Sequence, residues 1–115
     1  MLPKKSRLPL SRLFLLMRRA KIDNVKVRSA STPYFLLKFG ESGVGHNRFK
    51  ILIRATVDKR AARRNFWRRR IAEAVKLWPN KNQDFLLIAD PKIKKIDPAK
   101  LSEELGTLFS RAMRV

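Results

Sequence analysis

Residues 54–78 read RATVDKRAARRNFWRRRIAEAVKLW and carry the clearest helical pattern in the chain. Apolar side chains recur there at steps of three and four, so that one helix face would hold Trp67, Ile71, Ala74, Val75 and Trp78. Pro79-Asn80 follows, and this pair predicts the end of the helix. The pattern therefore predicts a long helix over about residues 58–78, whose apolar face packs on a sheet.

The same segment is strongly basic. From Arg54 to Arg70 the only acidic residue is Asp58, against eight cationic side chains: Arg54, Lys59, Arg60, Arg63, Arg64, Arg68, Arg69 and Arg70. A guanidinium group can grip phosphate oxygens with two donors and can stack on exposed bases. So dense a run of like charges needs a counter-charge, which favours RNA binding over a merely solvated face. The predicted RNA-binding residues are Arg54, Lys59, Arg60, Arg63, Arg64, Asn65, Arg68 and Arg69.

The composition of the whole chain supports a polyanionic partner. The 115 residues include 28 Lys and Arg against 9 Asp and Glu, a formal net charge of +19. Hydrophobic residues still make up 44% of the chain, which argues against a disordered basic tail. We expect a single RNA-binding domain over residues 1–115, with a flexible basic arm at about residues 1–8. The chain has no cysteine, which excludes disulfides and thiolate chemistry and is compatible with a reducing cytoplasm.

The remaining elements can be placed around the basic helix. Pro9 predicts a helix over about residues 9–20 that presents Leu10, Leu13, Phe14 and Met17. A short strand is expected around residues 25–28. The runs 34–39 and 48–54 predict two strands that pair as a hairpin, because the glycine-rich segment 40–45 between them is typical of a turn. Residues 84–89 predict a buried strand, and Asp97-Pro98 predicts the start of a C-terminal helix.

No residues suggest that the protein performs catalysis by itself. The acidic residues form no pair suited to general acid–base chemistry or to a metal cage, and His46 stands alone in the predicted turn. We therefore predict no catalytic residue and no metal site. The apolar run at residues 13–17 lies between Arg12 and Arg18 and is too short to span a membrane, so no membrane partner is expected.

Several segments together resemble the bacterial ribonuclease P protein component. Residues 2–8 (LPKKSRL) resemble the opening of that family, and Phe14 falls where its first helix carries a Phe. Pro33-Tyr34-Phe35 resembles its first long strand, and Arg48-Phe49 the start of the next strand. Residues 57–69 (VDKRAARRNFWRR) match a signature in which Arg-Asn is followed by a basic pair. Residues 84–90 and the following Pro91 resemble the strand after that helix, so that the match spans nearly the whole chain.

The resemblance implies a fold and a function. The fold would be a single α+β domain, an α-β-β-(β)-α-β-α sandwich related to the second domain of a small-subunit ribosomal protein. Its signature helix would link parallel strands by a left-handed crossover, whereas sequence pattern alone would predict a right-handed one. The protein would join a catalytic RNA, one copy per RNA, in the bacterial cytoplasm. The complex would remove the 5′ leader of precursor tRNA, with Mg²⁺ held mainly by the RNA and the substrate.

The resemblance also implies a site for the leader, in a cleft between the sheet and the helices. Tyr34, Leu36 and Lys38 share one strand face by alternation, and Phe14 on the first helix could lie beside them. These four residues are the predicted leader-binding residues, and the isolated protein is expected to be inactive as a nuclease.

Three positions depart from the family pattern. Ala55-Thr56 stands where a Lys-Lys pair is usual, Ala72 where a basic residue precedes Glu73, and Arg18 where the first helix often has a second Phe. Two other functions stay open at this point. One is a purely structural RNA-binding protein such as a ribosomal component. The other is a major-groove DNA binder, which the two strands before the basic helix disfavour.

Overall fold

A computed structural model of the chain describes residues 2–17 and 27–114, apart from the side chains of Phe14 and Leu15. Three helices and four strands form a three-layered domain in the order α1 (Leu10–Met17), β1 (Arg28–Ser31), β2 (Phe35–Glu41), β3 (Arg48–Leu52), α2 (Ala61–Val75), β4 (Gln83–Ala89) and α3 (Leu101–Met113). This is the α+β architecture that the resemblance implies. The predicted end of the first helix at residues 18–20, the residues 25–26 of the predicted short strand, and Arg18 lie outside the described residues.

The four strands form one mixed sheet in the order β1-β2-β4-β3. The last strand in sequence, β4, therefore lies between β2, to which it is antiparallel, and β3, to which it is parallel. The prediction that residues 34–39 and 48–54 pair with each other as a hairpin is wrong. Both segments are strands, but each is hydrogen-bonded to β4.

The residues of β4 explain why it takes the central position. Asp84, Phe85, Leu86 and Leu87 are consecutive and all buried, although successive side chains of a strand point to opposite faces. Such a strand is covered on both faces, which is the environment of a central strand. The segment 42–47 crosses the start of β4, and its glycines Gly43 and Gly45 adopt the positive φ that the reversal requires.

The main core lies between one sheet face and the helices α2 and α3. The predicted stripe of α2 is confirmed, because Trp67, Ile71 and Val75 are buried against the sheet while Ala74 and Trp78 pack beside them half-buried. The aromatic residues Phe35, Phe39, Phe49 and Phe85 belong to this core. The rings of Phe49 and Phe85 stack at 5.4 Å between centroids.

The opposite sheet face is covered by α1. Leu16 is buried against Leu8 and Leu86, and Leu13 packs at the edge of this smaller cluster. The predicted apolar face of the first helix is therefore only partly right. Leu10 is 67% exposed and Met17 is 43% exposed, whereas the buried residue Leu16 was not among those predicted.

The segment predicted as a flexible arm lies along the outer edge of β3. Residues 4–6 form one turn of 3₁₀ helix, and Arg7 forms a parallel bridge with Phe49. The Leu8 amide donates a hydrogen bond to the Phe49 carbonyl oxygen at 2.9 Å, and the Leu8 side chain is buried. Residues 2–8 thus pack against the sheet and bring Lys4, Lys5 and Arg7 beside β3.

Both predicted long helices begin later than the sequence suggested. The basic helix spans Ala61–Val75. It begins at Ala61 because residues 58–60 form a turn in which the Asp58 side chain accepts a hydrogen bond from the Arg60 amide. At the C-terminal helix, Asp97 caps a single 3₁₀ turn at Pro98–Lys100, and α3 follows from Leu101.

Candidate nucleic-acid interface

The turn before α2 is organised by one buried carboxylate. Asp58 accepts hydrogen bonds from the Arg60 amide at 2.9 Å and from the Arg60 guanidinium at 3.2 Å. The Asp58 carboxyl is buried, while most of the Arg60 side chain is exposed. These hydrogen bonds, first the one from the side chain and then the one from the amide, lower the pKa of Asp58 to about 2, and the positive charges of Arg60 and Lys94 act in the same direction.

This carboxylate should make stability depend on acid pH. The pKa of Asp58 is lower in the folded protein than its ordinary value of 3.8, so its contribution is present above about pH 4 and is lost as the pH falls toward 2. We expect the difference in unfolding free energy between the unaltered chain and Asp58→Asn, measured by urea unfolding, to shrink over that window. A difference that stays constant with pH would show that the charge of Asp58 does not contribute.

Neighbours on α2 or the turn before it brace four further residues of the predicted set: Arg63, Arg64, Asn65 and Arg68. The Arg64 guanidinium donates hydrogen bonds to the carbonyl oxygens of Asp58 at 2.8 Å and of Lys59 at 3.0 Å. The Arg68 guanidinium donates to the side-chain oxygen of Asn65 at 2.6 Å. Arg63 lies over the ring of Phe66, 4.9 Å from its centroid, and Arg70 lies at the same distance. Each guanidinium is held in place and keeps further donors for a ligand.

Three other cations of the predicted set have exposed side chains with no bonding partner among the described residues: Arg54, Lys59 and Arg69. Arg54 follows β3, Lys59 lies in the turn before α2, and Arg69 lies in the middle of the helix. We call the eight predicted residues Arg54, Lys59, Arg60, Arg63, Arg64, Asn65, Arg68 and Arg69 the α2 surface. The structure brings them together along one helix and the turns that precede it.

The predicted leader-binding residues lie on and beside β2. Leu36 is 37% exposed and Lys38 is half-buried, while the alternating residues Phe35, Leu37 and Phe39 point into the main core. Tyr34 precedes the strand and is half-buried against the main core cluster, and its carbonyl oxygen accepts a hydrogen bond from the Asp90 amide at 2.9 Å. Leu36 and Lys38 therefore share the α1 side of the sheet, whereas Tyr34 packs against the main core.

Phe14, the fourth predicted leader-binding residue, lies on α1, and its side chain is outside the described residues. The contacts of these four residues with a leader stay a prediction.

One charged cluster was missed by the sequence analysis. Asp84, at the start of β4, is fully buried and receives two hydrogen bonds from Arg48, at 2.8 and 3.0 Å, and one from Arg12 at 2.8 Å. Arg12 also donates to the carbonyl oxygen of Glu41 at 2.6 Å. The cluster ties α1 to the sheet at its Asp84 end, so it fixes how α1 lies over the face that carries Leu36 and Lys38.

Within the part of the chain that the structure describes, no group of three His, Asp or Glu residues is placed to hold a metal ion. None of the described helices is long and apolar enough to cross a membrane. His46, predicted to be a loop residue, lies in the turn after β2, where its Nε2 is 2.8 Å from the Lys5 carbonyl oxygen.

Comparison with known proteins identifies the fold and the family. The model of a family described as ribonuclease P matches residues 3–113. A search of curated proteins finds no match.

Two solved structures share the fold. The ribonuclease P protein of Thermotoga maritima in complex with 1-(4-fluorophenyl)-2-thiourea is 23% identical, with a TM-score of 0.74 over 91% of this chain and 98% of that one. A Staphylococcus aureus ribonuclease P protein at 2.0 Å is 19% identical, with a TM-score of 0.73 over 91% of this chain and 93% of that one. The shared fold and the family match over residues 3–113 agree with the basic helix and its Arg-Asn signature. The chain belongs to the ribonuclease P protein family and is a protein subunit of ribonuclease P, a ribonucleoprotein that processes tRNA.

Proposed function

We propose that this chain is the non-catalytic subunit of a bacterial ribonuclease P, which binds the catalytic RNA and the 5′ leader of precursor tRNA. The observation that carries the proposal is the α2 surface, where seven cations lie along one helix and its preceding turns. Among the described residues, Asp58 is the only carboxylate paired with one of these cations, so a polyanion placed against this surface would gain attraction from all of them. A folded RNA presents such an array of phosphates.

The braced and the unpaired cations of the α2 surface suit different kinds of contact with an RNA. Arg64 and Arg68 are held by oxygens of the protein, so that little side-chain entropy is lost when their remaining donors meet a phosphate. Arg54, Lys59 and Arg69 are exposed and can adapt to the path of an RNA backbone. The α2 surface would thus combine fixed contacts with adjustable ones, and we assign it to the catalytic RNA.

The leader is assigned to the α1 side of the sheet. Leu36 presents an exposed apolar side chain and Lys38 a cation next to it on the same face, which suits the bases and the phosphates of a single strand. Phe14 on α1 is the proposed stacking residue on this side, and Tyr34, which precedes β2 and is half-buried against the main core, is the proposed stacking residue where that strand begins. Hydrolysis would be performed by the RNA with Mg²⁺ that the RNA and the substrate hold, one protein copy would serve each RNA, and the complex would act in the bacterial cytoplasm.

The two assignments can be separated by substitution. Tyr34→Ala and Lys38→Ala should weaken binding of precursor tRNA relative to mature tRNA while assembly with the catalytic RNA stays nearly intact. For Tyr34 the loss should be roughly 1–3 kcal/mol, the usual contribution of one stacked base. Arg69→Ala should instead weaken assembly more than leader discrimination. The measurement is the affinity of the reconstituted complex for precursors with long and one-nucleotide leaders, beside an assembly titration for each variant.

Two controls complete this experiment. Lys81→Ala removes an exposed cation in the segment between α2 and β4, outside the α2 surface, and should change neither property. The protein without RNA should leave precursor tRNA intact, and cleavage by rigorously RNA-free protein would contradict the non-catalytic role. If Tyr34→Ala loses assembly and discrimination equally and also melts early, Tyr34 acts only as a core residue.

A further inference from the structure

A cavity of about 430 Å³ lies between the N-terminal segment, β3 and the middle of α2. Its apolar lining includes Leu8, Phe49 and Ala72, and its cationic lining includes Arg68 and Arg69. The cavity volume is within the range of about 300–1,000 Å³ that is typical of small-ligand sites. No local helix or strand pattern indicates this cavity, because its walls come from three separate parts of the chain.

We propose that this cavity binds one unpaired nucleotide of an RNA, with the base against the apolar lining and its phosphate held by the cations. The inference rests on the proposed RNA-binding function of the α2 surface and adds a defined subsite to it. The nucleotide could belong to the catalytic RNA or to the leader, and the chemistry of recognition is the same for both.

The two kinds of lining residue argue for a nucleotide over simpler ligands. An inorganic anion would satisfy Arg68 and Arg69 but would leave the apolar lining, which includes the half-buried Leu2, uncovered. A purely apolar ligand would cover the leucine and the aromatic edge but would leave the cations without a counter-charge. A nucleotide carries an apolar, polarisable ring and an anionic phosphate on one unit, so that it matches both.

Asn65 supplies a group that could contact the edge of the base. Its side-chain oxygen accepts the hydrogen bond from Arg68 at 2.6 Å, which orients the amide and leaves the amide nitrogen with no partner among the described residues. That nitrogen has two donors for acceptor atoms on a base. The Arg69 side chain also has no partner in the described part of the chain, so it need not break an internal bond to hold a phosphate.

The N-terminal segment forms one wall of the cavity and is itself fixed. The Leu8 amide bonds to Phe49, and the Arg7 guanidinium donates to the Leu2 carbonyl oxygen at 3.2 Å. The other wall is kept open by Ala72, whose short side chain is buried beside the cavity. A larger side chain at position 72 would occupy the space in which the base is proposed to lie.

The test compares base accessibility and affinity in complexes formed with the full chain. Dimethyl sulfate and a carbodiimide reagent modify unpaired bases, and they would be applied to the catalytic RNA alone, to its complex with the protein, and to that complex with precursor tRNA. We expect the protein to protect one unpaired base, whose position in the catalytic RNA or in the leader identifies the source. Ala72→Leu and Asn65→Ala should remove or reduce that protection and weaken binding roughly 5- to 150-fold, the usual effect of losing one stacked base.

Ala99→Leu is the matched control, because it adds the same side-chain volume at an exposed position in the turn before α3, away from the cavity and from the α2 surface. It should leave protection and affinity unchanged. Asn65 is exposed, so Asn65→Ala keeps the test informative even if Ala72→Leu does not fold. The proposal is overturned if the unaltered protein binds RNA but the variants at positions 65 and 72 bind with the same affinity and protect the same bases. Failure of the proposed function would differ, since the unaltered protein would then not bind the catalytic RNA at all.

Discussion

Replacing Asp84 with alanine should lower the free energy of unfolding by about 3–5 kcal/mol, the usual cost of removing one partner of a buried ion pair. The Asp84 carboxylate is fully buried, and it receives three charge-assisted hydrogen bonds from two guanidinium groups that are themselves 13% and 21% exposed. Without the carboxylate, the guanidinium groups of Arg48 and Arg12 would lie near each other, with little water available to take the place of its oxygens. Their mutual repulsion would add to the cost of the unpaired donors.

Urea unfolding at neutral pH would measure this effect in Asp84→Ala and Asp84→Asn. The asparagine variant keeps one acceptor oxygen but loses the charge, so its loss should be smaller than that of the alanine variant yet still large. Asp90→Ala is a suitable control, because Asp90 only caps the exposed turn at Pro91–Lys95 and should lose about 0.5–2 kcal/mol. A loss below about 1 kcal/mol in Asp84→Ala would mean that the two arginines reach water without rearrangement.

The contrast between Asp84 and α2 shows what sequence patterns can and cannot predict in this fold. The apolar stripe of α2 was predictable because helical spacing places residues 67, 71 and 75 on one face whatever lies opposite. The Asp84 cluster joins residues separated by 72 and by 36 positions in the chain, and no local pattern connects them. It depends on the sheet order, which brings Arg12 and Arg48 to the same end of β4.

The sheet order itself was mispredicted for a physical reason. A glycine-rich turn between two apolar runs is typical of a hairpin, and that local signal favoured direct pairing of residues 34–39 with 48–54. The outcome depends instead on which strand can be buried on both faces. Phe85, Leu86 and Leu87 meet that requirement. On the α1 side, β2 carries the exposed Leu36 and β3 carries the exposed Lys50. The uninterrupted apolar run of β4 was the signal that could have revealed this order.

The sequence predicted which residues of the site are basic, but not which of them are hydrogen-bonded within the protein. The sequence showed that residues 54–70 are basic, but it could not distinguish Arg64, which is bonded to two carbonyl oxygens, from Arg69, which has no partner in the described residues. This difference changes the design of a binding experiment. Truncating Arg64 would disturb the turn at Asp58 as well as any contact with RNA, whereas truncating Arg69 removes only a cation.

The second large effect is therefore expected from the three unpaired cations together. The variant Arg54→Ala/Lys59→Ala/Arg69→Ala should reduce the slope of log affinity against log salt by about three units, one for each phosphate that is no longer neutralised. Because counterion release contributes about a factor of ten per neutralised phosphate between 1 M and 0.1 M salt, affinity for the catalytic RNA at 0.1 M should fall about a thousandfold. Stability should change little, since none of the three side chains holds another group of the described structure.

Titration of the catalytic RNA with each variant at several salt concentrations measures that slope, and Lys81→Ala/Arg114→Ala serves as the control. The control removes two exposed cations outside the α2 surface, so the change in slope can be compared per charge. If the α2 surface contacts phosphates, each of its three cations should change the slope by about one unit and each control cation by much less. Equal changes per charge would mean that the RNA responds only to the net charge of +19, and the α2 surface would then have no defined contact with the RNA.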